Sequence, residues 1–230
     1  MKVRRNLLIA FSLLSLSVNA QRIKGSDTVL PVAQQTAERY MNQHPDARVT
    51  VTGGGTGVGI SALMDNTTDI AMASRPIKFS EKMKIKEAGQ DVDEIIVAYD
   101  ALAVVVHPSN PVKQLTRQQL EDIFRGKITN WKDVGGKDQA IVAFQRGEDS
   151  GSQTLFQKLL IQGGPLMEAP TELAPTAMGE LVDSIAEYNN SANAIGFSVY
   201  YYIDQMYSQP GLRLLAVDGV TPGNLSLIHI

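Results

Sequence analysis

Arg48-Val49-Thr50-Val51-Thr52-Gly53-Gly54-Gly55-Thr56-Gly57-Val58-Gly59-Ile60-Ser61-Ala62-Leu63-Met64 is the stretch that decides the fold. Residues 48–52 alternate polar and apolar side chains, the period of a half-buried strand. A glycine loop follows, and Ile60 to Met64 then reads as a helical turn or more. The same unit occurs earlier. A short strand around Ile23-Lys24 enters Gly25-Ser26-Asp27-Thr28, and Val32, Ala33, Ala37, Tyr40 and Met41 then carry helical spacing from Pro31 to Gln43. A third unit runs from a strand at Ala140 to Gln145, through Arg146-Gly147-Glu148-Asp149-Ser150-Gly151-Ser152, into a helix from Thr154 to Ile161. Strand, loop and helix in alternation predict an α/β protein with parallel strands.

The three loops share a chemistry. Each joins Gly to Ser or Thr and opens a helix. Amides at a helix start, backed by the helix dipole, attract anions. Glycine lets the backbone approach a ligand, and hydroxyls add donors. Arg146 adds a planar fork of five N–H groups suited to an oxyanion. Three such loops with one Arg point to a single small oxyanion held by distant parts of the chain.

Other chemistries fit less well. The 53–59 loop matches neither the Gly-Lys-Ser/Thr ending of a phosphate-binding NTPase loop nor the dinucleotide fingerprint. Asp149-Ser150-Gly151 resembles the nucleophile segment of trypsin-like proteases, but only over three residues. His44 and His107 precede Pro in turns and His229 lies near the end, so no base is evident. Three scattered His and no Cys give no metal-ligand spacing and no disulfide. No metal and no cofactor is expected.

With 24 acidic and 21 basic residues the chain is slightly acidic, which argues against nucleic-acid binding. Residues 1–20 read as a signal peptide: Lys2, Arg4 and Arg5 precede the apolar run Leu7 to Leu16, and Val18-Asn19-Ala20 offers a cleavage site. No Cys lies near that cut, so no lipid anchor is expected. Leu225-Ser226-Leu227-Ile228-His229-Ile230 reads as adapter-encoded sequence, so the C-terminal part is expected to be truncated.

Further along, Asp69 to Ala73 reads as a short buried strand ending at Ser74-Arg75-Pro76, and Ser80 to Ala88 as a charged helix stopped by Gly89. Glu94 to His107 reads as one long apolar strand interrupted by Asp100. Arg117 to Phe124 and Met178 to Tyr188 read as helices, and Ala194 to Val199 and Leu212 to Val217 as strands.

These stretches together resemble the phosphate ABC-transporter substrate-binding proteins. The resemblance runs from Gly25 to about Pro222. It rests on Gly25 to Pro31, the 53–59 loop, Asp69 to Arg75, Ala98-Tyr99-Asp100, Ile123-Phe124-Arg125-Gly126-Lys127-Ile128-Thr129-Asn130-Trp131, the Arg146 loop and Ala194 to Phe197. It implies a two-lobe periplasmic binding protein (type II-like) with the ligand cleft between α/β lobes. The expected split puts 21–104 plus 200–230 in lobe one and 105–199 in lobe two. Crossings are expected near Asp100 to Val105 and Phe197 to Tyr202. The resemblance further implies a monomeric, non-catalytic periplasmic receptor that hands inorganic phosphate to an inner-membrane ABC permease.

Carried over by position, the phosphate-binding residues are Thr28 (hydroxyl and amide), Val29 (amide), Thr56, Ser74, Arg146, Ser150, Gly151 and Ser152. Two positions depart from the pattern. Arg75 stands where some relatives have Asp, and Gln153 where close relatives often have Arg. Phosphate near neutral pH carries a proton that sulfate lacks, so a carboxylate acceptor selects for it. With Arg75 in place of Asp, Asp100 is the candidate acceptor, against a plainer role as a hinge carboxylate bonded to backbone. Two rival functions stand beside this one: a receptor for another oxyanion such as sulfate, and a phosphoester hydrolase.

Overall fold

The computed structural model describes residues 20–161, 164–187, 191–206 and 211–222. The expected signal peptide, apart from Ala20, and the 225–230 tail lie outside the described residues.

Three parallel strands build the first lobe. β1 (Ala20–Gly25) lies between β2 (Arg48–Thr52) and β3 (Ile70–Met72), with Ile23 opposite both Val51 and Ile70. Each strand leads through a loop to a helix: α1 (Leu30–Gln43), α2 (Thr56–Met64) and α3 (Phe79–Glu87). Pro31 sits in the first turn of α1, where its missing N–H has no intrahelical acceptor to lose. Because the strands are parallel, all three loops leave from the same edge of the sheet. Ligands of open α/β sheets bind at that edge.

The second lobe is a five-stranded mixed sheet. Its order is β5 (Gln114–Leu115), β8 (Arg213–Val217), β4 (Leu102–Val106), β7 (Ala194–Val199) and β6 (Val142–Ala143). Both faces are covered. Val104 and Val106 point into a cluster with Trp131, Phe124, Phe156 and Phe197, whereas Val105 points to Phe144, Leu181 and Ile185. A strand buried on both faces is apolar at every position, which explains the unbroken run Leu102 to Val106. Phe156 stacks on Phe197 at 3.9 Å between centroids, and Phe124 meets Phe156 edge-on at 4.8 Å. The covering helices are α4 (Arg117–Phe124), α5 (Gly151–Ile161) and α6 (Met178–Glu187). Thr116 caps α4 by accepting from the Gln119 amide while Gln119 reaches back, a reciprocal cap.

Three expectations change. The long strand over 94–107 is formed only from Leu102. Residues 91–101 have no regular structure, and Ile95, Ile96, Val97 and Tyr99 are exposed. Apolar content does not make a strand without a neighbour to take its backbone hydrogen bonds, and the first sheet ends at β3. β3 itself is not wholly buried, since Ile70 is half exposed on that edge. The lobe boundaries also differ from the expected split. Leu102 to Val104 belong to the second sheet, and so does β8, which was expected in lobe one. β8 fills the side of β4 that β7 leaves open, with Leu215 opposite Val104 and fully buried.

The two crossing segments run side by side. Tyr200 N–H donates to Ala101 O at 2.8 Å, and Leu102 lies opposite Val199. After Val199 the chain turns through Tyr202–Met206 and comes back as β8.

Candidate anion-binding site between the lobes

Arg146 follows β6 and is buried, with 4% of its surface exposed. Its backbone N–H donates to Gln153 Oε1 at 2.8 Å, and Gln153 Nε2 donates to Gln145 Oε1 at 3.1 Å. Gln153, a departure from the family pattern, thus fixes the Arg146 backbone from the first turn of α5. The guanidinium Nη2 donates to Thr176 O and to Asp27 Oδ2, the latter at 3.3 Å. Nε and Nη1 are buried and have no hydrogen-bond partner among the described residues. A buried unpaired donor is costly, so such nitrogens are placed to meet acceptors. Burial pulls the Arg146 pKa below its usual value, and the neighbouring Asp27 carboxylate is the main group that opposes that shift.

The third loop surrounds the start of α5. Ser150 and Ser152 hydroxyls lie 2.9 Å apart, and Ser150 Oγ caps the helix by accepting from the Gln153 amide at 3.2 Å. The amides of Gly151 and Ser152 fall in the first turn, where no intrahelical acceptor exists.

Across the crevice stands the start of α2. Thr56, wholly buried, accepts from the Ser74 N–H at 3.1 Å, and the two hydroxyls are 3.3 Å apart. Gly151 packs against both. A methyl group there would collide with Ser74 Oγ and Thr56 Oγ1. The lobes also touch at Gly57, whose N–H donates to Asp149 O at 3.0 Å. Two helix starts, from α2 and α5, therefore meet, and Asp27 ties the Arg146 guanidinium to Gly54 in the loop that enters α2.

Thr56, Ser74, Ser150, Gly151 and Ser152 are thus brought together, and Arg146 is tied to the same joint through Gln153 and Asp27. Thr28 lies in the turn between β1 and α1, next to Asp27. The expected Val29 amide donor is turned inward: it donates to Ser26 O at 3.2 Å, closing that turn. Asp100 is held at the hinge. Its Oδ1 accepts from Ala101 N–H at 2.7 Å and from Tyr201 N–H at 3.3 Å, and no hydrogen bond joins it to the cluster among the described residues. Arg75 is paired with Glu81, at 2.7 Å.

Asp27 is the residue that sequence reasoning passed over. It sits in the first loop, where an anion-binding reading looks for donors and not for a carboxylate. Its Oδ1 accepts from Gly54 N–H at 2.9 Å. The signal was the acidic residue itself, misplaced in a loop made to attract negative charge.

Two α/β lobes meeting around a buried guanidinium, hydroxyls and helix starts define a two-lobe solute-binding protein. A family model for the PBP superfamily domain matches residues 17–209. Two solved structures resemble the chain over most of its length. One is a Clostridium perfringens phosphate ABC transporter substrate-binding protein, so named provisionally, with bound phosphate. It is 34% identical at a TM-score of 0.71, covering 89% of this chain and 78% of that one. An ABC-type phosphate transport receptor from Vibrio cholerae is 32% identical at a TM-score of 0.64, covering 88% and 78%. The phosphate-binding protein PstS of Bacillus subtilis is 31% identical over 200 residues, 87% of this chain. The chain spans 62% of the length of that relative. The chain belongs to the PBP superfamily and, within it, to the substrate-binding proteins of phosphate ABC transporters.

Proposed function

We propose that this chain binds inorganic phosphate between its lobes and delivers it, chemically unchanged, to an ABC-type permease of the inner membrane. The observation that carries the reading is the buried Arg146 guanidinium, which pairs with Asp27 across the two lobes and whose Nε and Nη1 have no partner among the described residues. The Ser150 and Ser152 hydroxyls lie in the loop that Arg146 opens, the Thr56 and Ser74 hydroxyls meet Gly151 from the other lobe, and Thr28 follows Asp27, the partner of the guanidinium. Such a set offers donors on several sides, which suits a tetrahedral oxyanion. The phosphate-bound relative from C. perfringens supports phosphate as that anion.

The energetics fit. Micromolar affinity requires about −8 kcal/mol. A hydrogen bond to a charged group contributes about 1.5–3 kcal/mol. A shell of several donors around one guanidinium reaches that value after the losses of association.

Hydrolysis of a phosphoester is less well supported. The Ser150 hydroxyl is hydrogen-bonded to Ser152 and to the Gln153 amide, and His44 and His107 bond to Tyr40 and Ser109 in their own turns. We place the mature receptor in the periplasm as a monomer, after removal of residues 1–20. Calorimetric titration with phosphate and then sulfate tests the reading. Micromolar phosphate binding supports it. Absence of phosphate binding, or a preference for sulfate, refutes it.

A further inference from the structure

We infer that Asp149 sets how long the crevice keeps its anion, because its main chain caps α2 of the opposite lobe and so latches the two lobes together. The inference rests on the phosphate reading above and adds to it the contact that governs release.

α2 begins without a cap of its own. Its N-cap residue is Gly55, which has no side chain to turn back on the first amides. The first bond within the helix runs from Gly59 N–H to Gly55 O, at 3.1 Å. Gly57 N–H comes earlier and has no acceptor inside the helix. Its acceptor is the Asp149 carbonyl, at 3.0 Å, in the loop that precedes α5. One lobe thus completes a helix of the other.

The approach is close enough to need glycine. A β-carbon at Gly57 would lie 2.3 Å from Asp149 Oδ1 and 3.2 Å from its Cα. One at Gly55 would lie 2.8 Å from the Asp149 carbonyl oxygen. At Gly55 the φ of +93° asks for glycine in any case. Gly57 lies within α2 and has no positive φ, and alanine suits a helix better. What glycine provides at that position is room for Asp149.

Asp149 is ill suited to bind the anion itself. Its carbonyl is engaged by Gly57, its carboxylate repels negative charge, and the residue is exposed. Its contact with α2 is also separate from the Asp27–Arg146 pair and from the packing of Gly151 on Thr56 and Ser74. An anion enclosed between the lobes leaves as they part, and parting them takes the acceptor from the Gly57 amide. Capture starts from the open form, where this bond is not yet made. The contact therefore acts on release, and through the closed fraction on affinity.

The test is a two-residue cycle read by stopped-flow kinetics of phosphate binding to the mature chain. Gly57→Ala sets a methyl group against Asp149. It should raise the dissociation rate constant at least about fivefold, the order of one net hydrogen bond, and leave the association rate constant within about twofold of the wild type. Asp149→Ala keeps the capping carbonyl and removes Oδ1, the atom nearest to that methyl group. Added to Gly57→Ala, it should return the dissociation rate constant to within about twofold of Asp149→Ala alone. Recovery by a second substitution cannot come from a misfolded first one.

Unchanged release in Gly57→Ala overturns the inference. So does faster release that Asp149→Ala fails to correct, and so does weaker binding that comes from slower association. A wild type that binds no phosphate refutes the proposed function instead, and small-angle scattering of the ligand-free proteins then decides the latch. A larger radius of gyration in Gly57→Ala, reversed in the double variant, supports it, and equal radii refute it.

Discussion

The Asp27 carboxylate and the Arg146 guanidinium meet at 3.3 Å, although 119 residues separate them in sequence. The pair joins the loop after β1 in one lobe to the loop after β6 in the other. It does not complete the guanidinium, since Nε and Nη1 stay unpaired among the described residues. Arg146 therefore acts both as a contact between lobes and as a receiver for a ligand.

Arg146→Ala should weaken phosphate binding by about 100-fold to 1,000-fold, equivalent to about 3–4 kcal/mol. The variant loses the charged donors and leaves Asp27 without its cation. Arg146→Lys should recover only part of this, because an ammonium lacks the planar fork. Calorimetric titration reads both. A dissociation constant that Arg146→Ala leaves unchanged contradicts the proposed site.

Gly151 has another kind of role. It opens α5 and lies against the Thr56 and Ser74 hydroxyls of the opposite lobe. Alanine is a better helix former than glycine, so Gly151→Ala should leave the melting temperature of the ligand-free protein unchanged or slightly raised. The added methyl group holds the lobes apart, so phosphate affinity should fall by at least about tenfold, as expected of a misplaced binding shell. A melt and a titration on the same sample separate the two effects.

The α/β alternation was legible because each strand, loop and helix of the first lobe is contiguous in sequence. The Arg146 loop was legible for the same reason: Arg146, Ser150, Gly151 and Ser152 sit within seven residues of each other in one loop. What escaped depends on distant partners. Ile95 to Tyr99 has the composition of a strand but no strand beside it among the described residues, and its side chains face solvent. β8 reads as a strand from either lobe, and only the open side of β4 decides which sheet it joins. Asp100 looked functional because a carboxylate inside an apolar run is unusual. The structure gives it the commoner task of accepting amide hydrogen bonds, here at the two crossing chains. Asp27 escaped because its partner lies in the other lobe.

The Arg75–Glu81 pair should support stability in a pH-dependent way. Arg75 is nearly buried, and its guanidinium contacts both Glu81 oxygens, at 2.9 and 2.7 Å. Burial alone pushes the Glu81 carboxyl up, but Arg75 and the Lys78 amide outweigh it and hold the group below its usual value. The native state therefore gives up this proton more readily than the unfolded chain. The gain is present above the ordinary carboxylate range and is lost as pH falls through the lowered value. Glu81→Gln should cost about 1–2 kcal/mol at neutral pH, less than breaking a fully buried pair because Glu81 is partly exposed. Chemical unfolding at neutral and acid pH checks this, and the gap between variant and wild type should close in acid.

Asp100 shifts the other way. Desolvation at the hinge raises its pKa, and the Ala101 and Tyr201 amides pull it down only in part. A carboxyl raised above its unfolded value holds its proton more tightly in the native state. Its ionisation therefore weakens the fold as pH rises from the ordinary Asp range through the raised value. The side chain lies at the surface on one flank, so solvent keeps the effect small. Asp100→Asn keeps an oxygen for both amides and removes the charge. Its melting temperature at neutral pH should rise by no more than about a few degrees. The advantage over wild type should shrink in acid, where Asp100 is protonated anyway. Phosphate affinity and sulfate exclusion should both stay as they are in the wild type. If Asp100→Asn gained sulfate binding, the hinge carboxylate would belong to the anion site after all.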